Sequence, residues 1–364
     1  MANDNWPWWP LLPLYPYGQR KTLCRELIPG QIWALEQLQG VFYVAVPIRM
    51  FVVKIEGGLL LYGAVATTSA CVELIRQLEL QHGAVCTIVH PTSSGLEHKV
   101  GVPPLARSFP GAQVWVTPGQ WSFPIALPLP WLGFPSQRVK QLFVDGTPHP
   151  EQLDWFGLGP VPLGPGPFFE ACCLHQASGS LLITDGLIAV SDRRPALLDN
   201  NPKPLLFHAR ENGEEPLLDT PEKRLKGWRR LVLFACYLRP AAVSQVFRLF
   251  PFRWQESWQQ DFEQLSKGGA LQVAPILEEL VFPRHRSLMA DWLLRCSELP
   301  IKWVLPAHFD APVAVNSTTF TNLYKSWCAD LTDSTDSSVL NASNRDFLRS
   351  FNRKLEKLKL VPLA

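Results

Sequence analysis

The sequence predicts a folded α/β protein. Three segments between residues 31 and 65, QIWALEQ, VFYVAVPIRMFVVKI and LLLYGAV, are rich in the β-branched and aromatic residues that favour strands. A helical pattern over 68–82 follows, and then AVCTIV, a short apolar segment typical of a strand buried on both faces of a sheet. From residue 221 onward, helical patterns dominate.

Local signals support each of these elements in order. Gly57-Gly58 indicates a hairpin turn between the second and third strand segments, and Gly83 ends the helix over 68–82. The segment FFEACCLHQASGSLLITDGLIAVSD is typical of two strands joined by a Ser-Gly turn. Later helices are predicted over 221–239, 254–266, 286–298, 317–328 and 343–359, with one short strand in KWVLPAHFDAP between them.

Composition excludes several classes of protein. Of the 364 residues, 47% are hydrophobic and 18% are charged, which excludes a disordered chain. A formal net charge of +2 provides no general attraction for nucleic acid, so we expect no nucleic-acid partner. No uncharged apolar run reaches the roughly 18 residues of a transmembrane helix. Eight cysteines without a C-x-x-C pair favour buried thiols in a reducing compartment, so we expect a cytoplasmic protein.

The chain divides into three predicted regions. Residues 1–30 form an extended arm, because proline recurs too often in NWPWWPLLPLYPYG for a helix. Residues 31–312 form the main domain, in which 118–165, rich in Pro, Gly and Trp, is an irregular insertion that covers the sheet. Residues 313–364 form a helical extension. The aromatic residues of the arm would lie on the protein's own core, on a partner or on a membrane: Trp6, Trp8, Trp9, Tyr15 and Tyr17.

Metal-ligating side chains follow the ends of the predicted strands. Glu97-His98 lies in the loop HPTSSGLEHKVG after AVCTIV, and His308 follows the last short strand. His175 and Asp185 follow the two strands of the Ser-Gly pair. Ligand sites in α/β sheets collect at the carboxyl ends of strands, and imidazole with carboxylate suits zinc, iron or manganese.

This order of strands and ligands resembles the metallo-β-lactamase fold superfamily over roughly residues 31–312. The resemblance implies an αβ/βα sandwich of two facing mixed sheets, with one or two metal ions at one edge. It also implies that residues of this sequence correspond to the family's metal ligands. Those ligands are a His-x-His-x-Asp-His loop, a third His near a turn, an Asp that bridges the two ions, and a His after a later strand. In this sequence these are Ser93-Ser94-Gly95-Leu96-Glu97-His98, His175, Asp185 and His308.

The loop departs from the family pattern at two positions. Ser93 and Gly95 stand where histidines would be expected, so one metal position retains only His175 and the shared Asp185. The resemblance therefore implies one divalent ion, zinc, iron or manganese, or in the alternative none. The other position keeps a full ligand set: Glu97 in place of Asp, His98, Asp185 and His308.

Two functions from different classes follow from this site. The first is a mononuclear metal-dependent hydrolase for an ester, thioester or related substrate, with Glu97 and Asp185 as catalytic groups. Ser93, Ser94 and the Gly95 loop would bind the substrate, which would enter beneath the insertion beside Trp121, Trp131 and Phe134. The second is a catalytically inactive protein of the same fold that serves as a binding or assembly factor.

Several longer segments are similar to a narrower branch of the superfamily, found in cyanobacteria and plastids. They are WPLLPLYPYG, ELIPGQIWALEQLQGVFYVAVPIRM, PTSSGLEHKVG, PGQWSFP and PLLFHARENGEEPLLD. This resemblance implies a photosynthetic setting, with peripheral contact to a thylakoid membrane through the N-terminal arm. The partner is either a small-molecule substrate or a protein, and the sequence does not choose between them.

Overall fold

The computed structural model describes residues 2–7, 14–41, 43–94, 96–122, 126–211, 214–243, 253–332 and 339–364. The strands are β1 (Leu23–Ile28), β2 (Ile32–Val41), β3 (Val44–Ile55), β4 (Gly58–Tyr62), β5 (Val85–His90), β6 (Gln113–Val116), β7 (Val139–Gln141), β8 (Leu153–Pro162), β9 (Pro167–His175), β10 (Ser180–Ile183), β11 (Leu187–Ile188), β12 (Gln272–Val273), β13 (Trp303–Pro306) and β14 (Val313–Ala314). The α-helices are α1 (Ser69–His82), α2 (Leu96–Lys99), α3 (Val102–Ser108), α4 (Ala196–Asn200), α5 (Lys203–Ala209), α6 (Pro221–Tyr237), α7 (Trp258–Ser266), α8 (Pro275–Leu280), α9 (Arg286–Glu298), α10 (Thr319–Thr332) and α11 (Val339–Lys357).

The first sheet contains β1 to β7 in chain order. Neighbours from β1 to β4 are antiparallel, and neighbours from β4 to β7 are parallel. At the predicted hairpin between β3 and β4, Gly57 has φ of 86°, a conformation that glycine adopts without strain. Parallel strands need a crossover, and α1 supplies it between β4 and β5. Thr68 caps the start of α1 and Gly83 ends it, so the hairpin and the helix predicted over 68–82 are confirmed.

The second sheet has the order β14-β13-β10-β9-β8. β9 is antiparallel to both β8 and β10, and β10 is parallel to β13. The predicted Ser-Gly turn joins β9 to β10, where Gly179 has φ of 66°. This mixture of directions places the carboxyl ends of β10 and β13 at the same edge of the sheet.

The two sheets face each other across a shared apolar core, and the hydroxyl of Tyr62 in β4 donates a hydrogen bond across it to the carbonyl of Ala171 in β9 (2.8 Å). α1 and α3 cover the outer face of the first sheet, while α9 and α10 cover the outer face of the second. Burying both faces of each sheet explains the long apolar strands of the sequence. The expected αβ/βα sandwich of two facing mixed sheets is confirmed. The shared core includes Phe51, Val53, Leu60 and Val89 from the first sheet and Trp155, Phe169, Cys173, Leu182 and Leu305 from the second.

The structure differs from the predicted regions in three places. β1 lies inside the predicted arm 1–30, because it pairs with β2 as the edge of the first sheet. The insertion 118–165 is not irregular throughout, since it contains β7 and β8. Glycine and proline obscured β8 in the sequence, where they lie at a break in its register between Leu158 and Val161. α10 packs on the second sheet through Phe320 and Trp327, so it is not separate from the main domain.

The described part of the arm packs on the protein's own core. Trp6 and Tyr15 are buried, and the guanidinium of Arg20 lies 4.1 Å from the centre of the Trp6 ring. Tyr17 is exposed, and Trp8 and Trp9 lie outside the described residues. Within the described residues, no helix combines the length and the apolar character needed to cross a membrane.

The five later helices predicted from the sequence correspond to α6, α7, α9, α10 and α11. The short helices α4, α5 and α8 were not predicted, because prolines at or near their first turns interrupt the apolar pattern. α6 and α8 lie beside the edge where β10 and β13 end, and they form part of the candidate site described below.

Candidate functional site

Two carboxylates and an imidazole meet where three strands end. Glu97 lies in α2 after β5, Asp185 lies two residues beyond β10, and His308 lies two residues beyond β13. One donor atom from each side chain lies within 4.8 Å of the other two. His308 Nε2 is 3.2 Å from Asp185 Oδ1 and 4.0 Å from Glu97 Oε1. The sequence analysis predicted that these three residues follow strand ends, and the structure brings them together.

His98 and His308 are held in the same way by backbone carbonyls. His98 Nδ1 is 2.8 Å from the carbonyl oxygen of Ala64, and His308 Nδ1 is 2.9 Å from that of Pro47. Because a carbonyl only accepts, Nδ1 carries the proton in both rings, which leaves Nε2 as the ligating atom. The two ring centres are 6.4 Å apart. His98 Nε2 is buried and has no hydrogen-bond partner among the described residues.

Burial and mutual charge shift the acidities of the cluster. Burial, and then the charge of Asp185, raises the pKa of Glu97. Burial alone would raise the pKa of Asp185, but the hydrogen bond and charge of His308 lower it. Burial would lower the pKa of His308, yet Asp185 and then Glu97 raise it. Burial lowers the pKa of His98 to about 4, so this imidazole is neutral near pH 7, the form that binds metal.

These residues fit a single divalent ion. Two carboxylates lie close together with only one imidazole beside them to carry positive charge, an arrangement that a cation stabilises. His98 is not among the residues whose donor atoms lie within 4.8 Å of one another, although its unpartnered Nε2 belongs to a ring whose centre is 6.4 Å from that of His308. Imidazole nitrogen and carboxylate oxygen together suit zinc, iron or manganese.

Glu170 is a buried carboxylate beside the cluster that the sequence analysis did not identify. It lies in β9 and accepts hydrogen bonds from the backbone amides of Thr184, Asp185 and Gly186 and from the Thr184 hydroxyl. Burial, and then the charge of Asp185, raises its pKa to about 7. It braces the turn that carries Asp185. The sequence contains one signal for Glu170: it is a single acidic residue in the apolar strand FFEACCL. Because an unpaired buried carboxylate is rare, such a residue indicates a specific partner or role.

The structure does not bring His175 to the cluster, which corrects its expected place. His175 ends β9, and β9 is antiparallel to β10, so His175 pairs with Ser180 at the start of β10. Asp185 follows the other end of β10. His175 Nδ1 lies 2.8 Å from the hydroxyl of Ser178 in the turn between β9 and β10, so this histidine contacts the turn and not the cluster.

The loop before Glu97 also differs from its expected role. The Ser93 hydroxyl is buried, donates to the carbonyl of Pro167 (2.6 Å) and accepts from the amide of Phe169 (2.9 Å). It therefore holds the loop against β9 and does not face a substrate. Ser94 does line the cavity described next, while Gly95 lies outside the described residues.

A cavity of about 420 Å³ opens beside the cluster, and we call it the site cavity. Glu97, Asp185, His308 and Ser94 form its polar end. Among the described residues of the insertion, only Leu163 lines the cavity, which corrects the expected entry route. Phe134 is buried in the outer core of the first sheet, and Trp131 is exposed. The remaining walls are mostly apolar and come largely from α6, α8 and the segments beside them: Val46, Phe168, Ile188, Ala235, Cys236, Ala274, Pro275, Ile276, Leu277, Val281 and Phe309.

Solved structures that the chain is similar to are metallo-β-lactamases. One from Pontibacter korlensis is 12% identical, with a TM-score of 0.37, over 84% of this chain and 99% of its own. FIM-1 from Pseudomonas aeruginosa, in a mono-zinc form, is 11% identical, with a TM-score of 0.36, over 85% and 96%. DIM-1 exposed to ceftazidime is 11% identical, with a TM-score of 0.39, over 84% and 97%.

At these identities and scores the likeness assigns neither residues nor activity, and the architecture above is established by the sheet order and packing of this chain. No curated protein matches the chain by sequence. Residues 29–326 match the family described as "Domain of unknown function (DUF4336)", and the chain belongs to that family.

Proposed function

We propose that the protein is a mononuclear metal-dependent hydrolase. Glu97, Asp185 and His308 would hold the ion, with His98 as a further ligand through Nε2. The observation that carries this proposal is the meeting of three donor atoms within 4.8 Å at the polar end of the site cavity. We propose zinc, iron or manganese as the ion, because the donors are carboxylate oxygen and imidazole nitrogen.

The residues of the site would divide the work of hydrolysis between them. A bound divalent ion supplies Lewis acidity, which polarises a carbonyl oxygen and makes water more acidic. Glu97 would act as a ligand of the ion or, in the alternative, as the base that accepts a proton from the attacking water. Asp185 would stay ionised, since His308 lowers its pKa, and Glu170 holds the backbone on which Asp185 lies. The apolar walls would exclude water from the acyl part of the substrate.

The shape of the site cavity favours an ester or thioester with an apolar acyl group. Aromatic and aliphatic side chains surround most of the space, while polar groups occupy one end. We expect esterase activity with p-nitrophenyl esters to rise from acetate to octanoate. Ala235→Phe places a ring in the wall of the cavity, so it should lower the octanoate rate more than the acetate rate. Equal loss on both esters would remove this substrate class from the proposal.

Metal content tests the site directly. Protein purified without chelator should contain close to one equivalent of metal by elemental analysis, and His308→Ala and Asp185→Ala should contain much less. His175→Ala is the matched control, because this histidine lies at the other end of β10 and should leave the metal content unchanged. A wild-type protein that stays free of metal after reconstitution with zinc, iron and manganese would rule out the hydrolase.

A second candidate is a protein of this fold that binds a ligand or partner without catalysis. One observation favours it: His308 Nε2 already lies 3.2 Å from Asp185 Oδ1, so this pair is complete without an ion. Metal binding without turnover of esters and thioesters would favour this candidate. The setting in cyanobacteria and plastids, with contact to a thylakoid membrane, stays a prediction from the sequence resemblance alone.

A further inference from the structure

A second cavity of about 330 Å³ lies behind the segment that carries His308, and we call it the arginine cavity. It is lined by four arginines and only two carboxylates, Glu36 and Asp310. Phe309 lines both cavities, so the two adjoin each other at this segment. The arginines are Arg25, Arg49, Arg193 and Arg194.

One of the four arginines, Arg49, serves the fold. Arg49 is buried, and its Nε lies 2.6 Å from Glu36 Oε1. Its two terminal nitrogens donate to the carbonyls of Pro306 and Phe309. Each of the three Arg49 nitrogens therefore already makes a hydrogen bond within the protein, and the role of this buried arginine is to hold the segment that carries His308.

The other three arginines keep donors that no described residue accepts. Arg25 uses one terminal nitrogen, which contacts both Glu36 (2.7 Å) and the carbonyl of Ala311 (2.8 Å). Arg194 uses only Nε, at 3.3 Å from Asp199, and Asp199 is shared with Arg224. The guanidinium of Arg193 has no hydrogen-bond partner among the described residues, although its charge acts on Asp310.

The cavity thus combines spare guanidinium donors with an excess of positive charge. Glu36 is shared between Arg25 and Arg49, so it neutralises only one charge. Asp310 lies near a second, and Asp199, which Arg194 shares with Arg224, offsets part of a third, so the four arginines keep an excess of positive charge. Arg193 is exposed and Arg194 is partly exposed, so both are accessible to a ligand from solvent. Guanidinium groups with free N–H donors bind carboxylate and phosphate oxygens in pairs, more strongly than neutral donors do.

We propose that the arginine cavity binds a small molecule that carries a phosphate or carboxylate group. Arg193 and Arg194 bind the anionic group, and Arg25 lies beside them with further N–H donors. The less polar part of the ligand packs against Leu23, Trp228 and Phe309, which line the same cavity. This site is separate from the proposed metal site, and the proposal holds whether or not the protein is a hydrolase.

Calorimetric titration with two probes, inorganic phosphate and succinate, tests the proposal. Titrations are made at constant ionic strength in chloride, so that general charge screening is the same in each. We expect saturable binding of at least one probe with one site per chain. Binding of phosphate alone assigns a phosphate group to the ligand, and binding of succinate alone assigns a carboxylate. Absence of saturable binding by both probes overturns the proposal.

Paired variants locate the binding. Arg193→Ala with Arg194→Ala should weaken the probe by about tenfold or more, as expected for the loss of charged hydrogen bonds. The matched control, Arg76→Ala with Arg107→Ala, removes two exposed arginines from α1 and α3 and should leave the affinity unchanged. Neither Arg193 nor Arg194 lines the site cavity, so the loss cannot come from the metal site. Equal affinity in the two double variants overturns the proposal. Arg193→Ala alone, which removes no described hydrogen bond, should also weaken binding and serves if the double variant is unstable.

Discussion

Charged groups lie on both sides of residues 306–311, and the two sides are arranged differently. On the side of the first sheet, Glu36 and Arg49 form a buried ion pair, and the arginine also donates to two carbonyls of the segment. On the side of the site cavity, Asp185 and Glu97 share a single neighbouring imidazole, His308. The first arrangement is complete within the protein, whereas the second has more negative than positive charge.

This difference separates groups that fix the fold from groups that are open to a ligand. A buried ion pair costs little only while both partners are present, and this pair is also hydrogen-bonded to the segment, so it acts as a rigid support. Two close carboxylates with one imidazole are stabilised by a further cation. The same segment is therefore held rigid from behind and exposes His308 to the cavity in front.

The largest expected effect comes from breaking the rigid side. Arg49→Ala leaves Glu36 buried without its main partner and removes the donors to the carbonyls of Pro306 and Phe309. Removing one partner of a buried ion pair costs about 3–5 kcal/mol, so we expect a loss of that size in the free energy of unfolding. Urea denaturation of metal-free protein measures it.

Arg229→Ala is the control for this prediction. Arg229 pairs with Asp192, whose side chain is 52% exposed, and exposed pairs contribute roughly 0–1 kcal/mol. A loss for Arg49→Ala no larger than that for Arg229→Ala would contradict the distinction between the two sides of the segment.

A smaller effect is expected where β9 supports the site. Glu170→Gln keeps the shape of the side chain, but it replaces one accepting oxygen with an amide that cannot accept from the backbone of Asp185 or Gly186. Groups that orient metal ligands change affinity by about 10- to 100-fold when replaced, so we expect metal binding to weaken by that factor. Competition with a chromophoric chelator measures it.

His175→Gln is the control within the same strand. It lies at the far end of β9, so the metal affinity should stay at the wild-type value. If both variants weakened metal binding equally, Glu170 would be acting on the fold of β9 and not on the turn that carries Asp185.

Local patterns in the sequence predicted the frame of the site well. The apolar strand β5 and the parallel pair β10 and β13 follow from short apolar segments, and each is followed by a polar side chain at its carboxyl end. Strand direction then decides which ends meet. The prediction for His175 was wrong because it ignored strand direction. A tight turn joins β9 to β10, so His175 at the end of β9 lies beside the start of β10 and not beside its carboxyl end.

Other parts of the site depend on contacts between residues far apart in the chain. Glu170 reaches Thr184 and Gly186 only because β9 and β10 pair, and no local pattern indicates this. The walls of the site cavity come largely from α6 and α8, which lie far from Glu97 in the sequence. Residue type and spacing predict elements, but they do not determine which helix packs over which strand end.

The smallest expected effect is a change in acid sensitivity on the rigid side. Burial would raise the pKa of Glu36, but Arg49 and Arg25 lower it below its usual value of 4.5. The folded state therefore holds this proton less tightly than the unfolded state. The stability that the ionised carboxylate provides is present above pH 4.5 and is lost as the pH falls through the folded pKa.

Glu36→Gln removes the titration while keeping the shape, and both side chains are neutral at low pH. The difference in unfolding free energy between wild type and variant should be constant from pH 7 to 5 and should shrink below pH 4.5. At every pH it should be smaller than the loss expected for Arg49→Ala. Denaturation curves across this pH range measure it, with Asp192→Asn at the exposed pair as the control. A difference that stayed constant down to pH 3 would mean that Glu36 is not stabilised as an anion, and the contrast between the two sides of residues 306–311 would then rest on hydrogen bonding and not on charge.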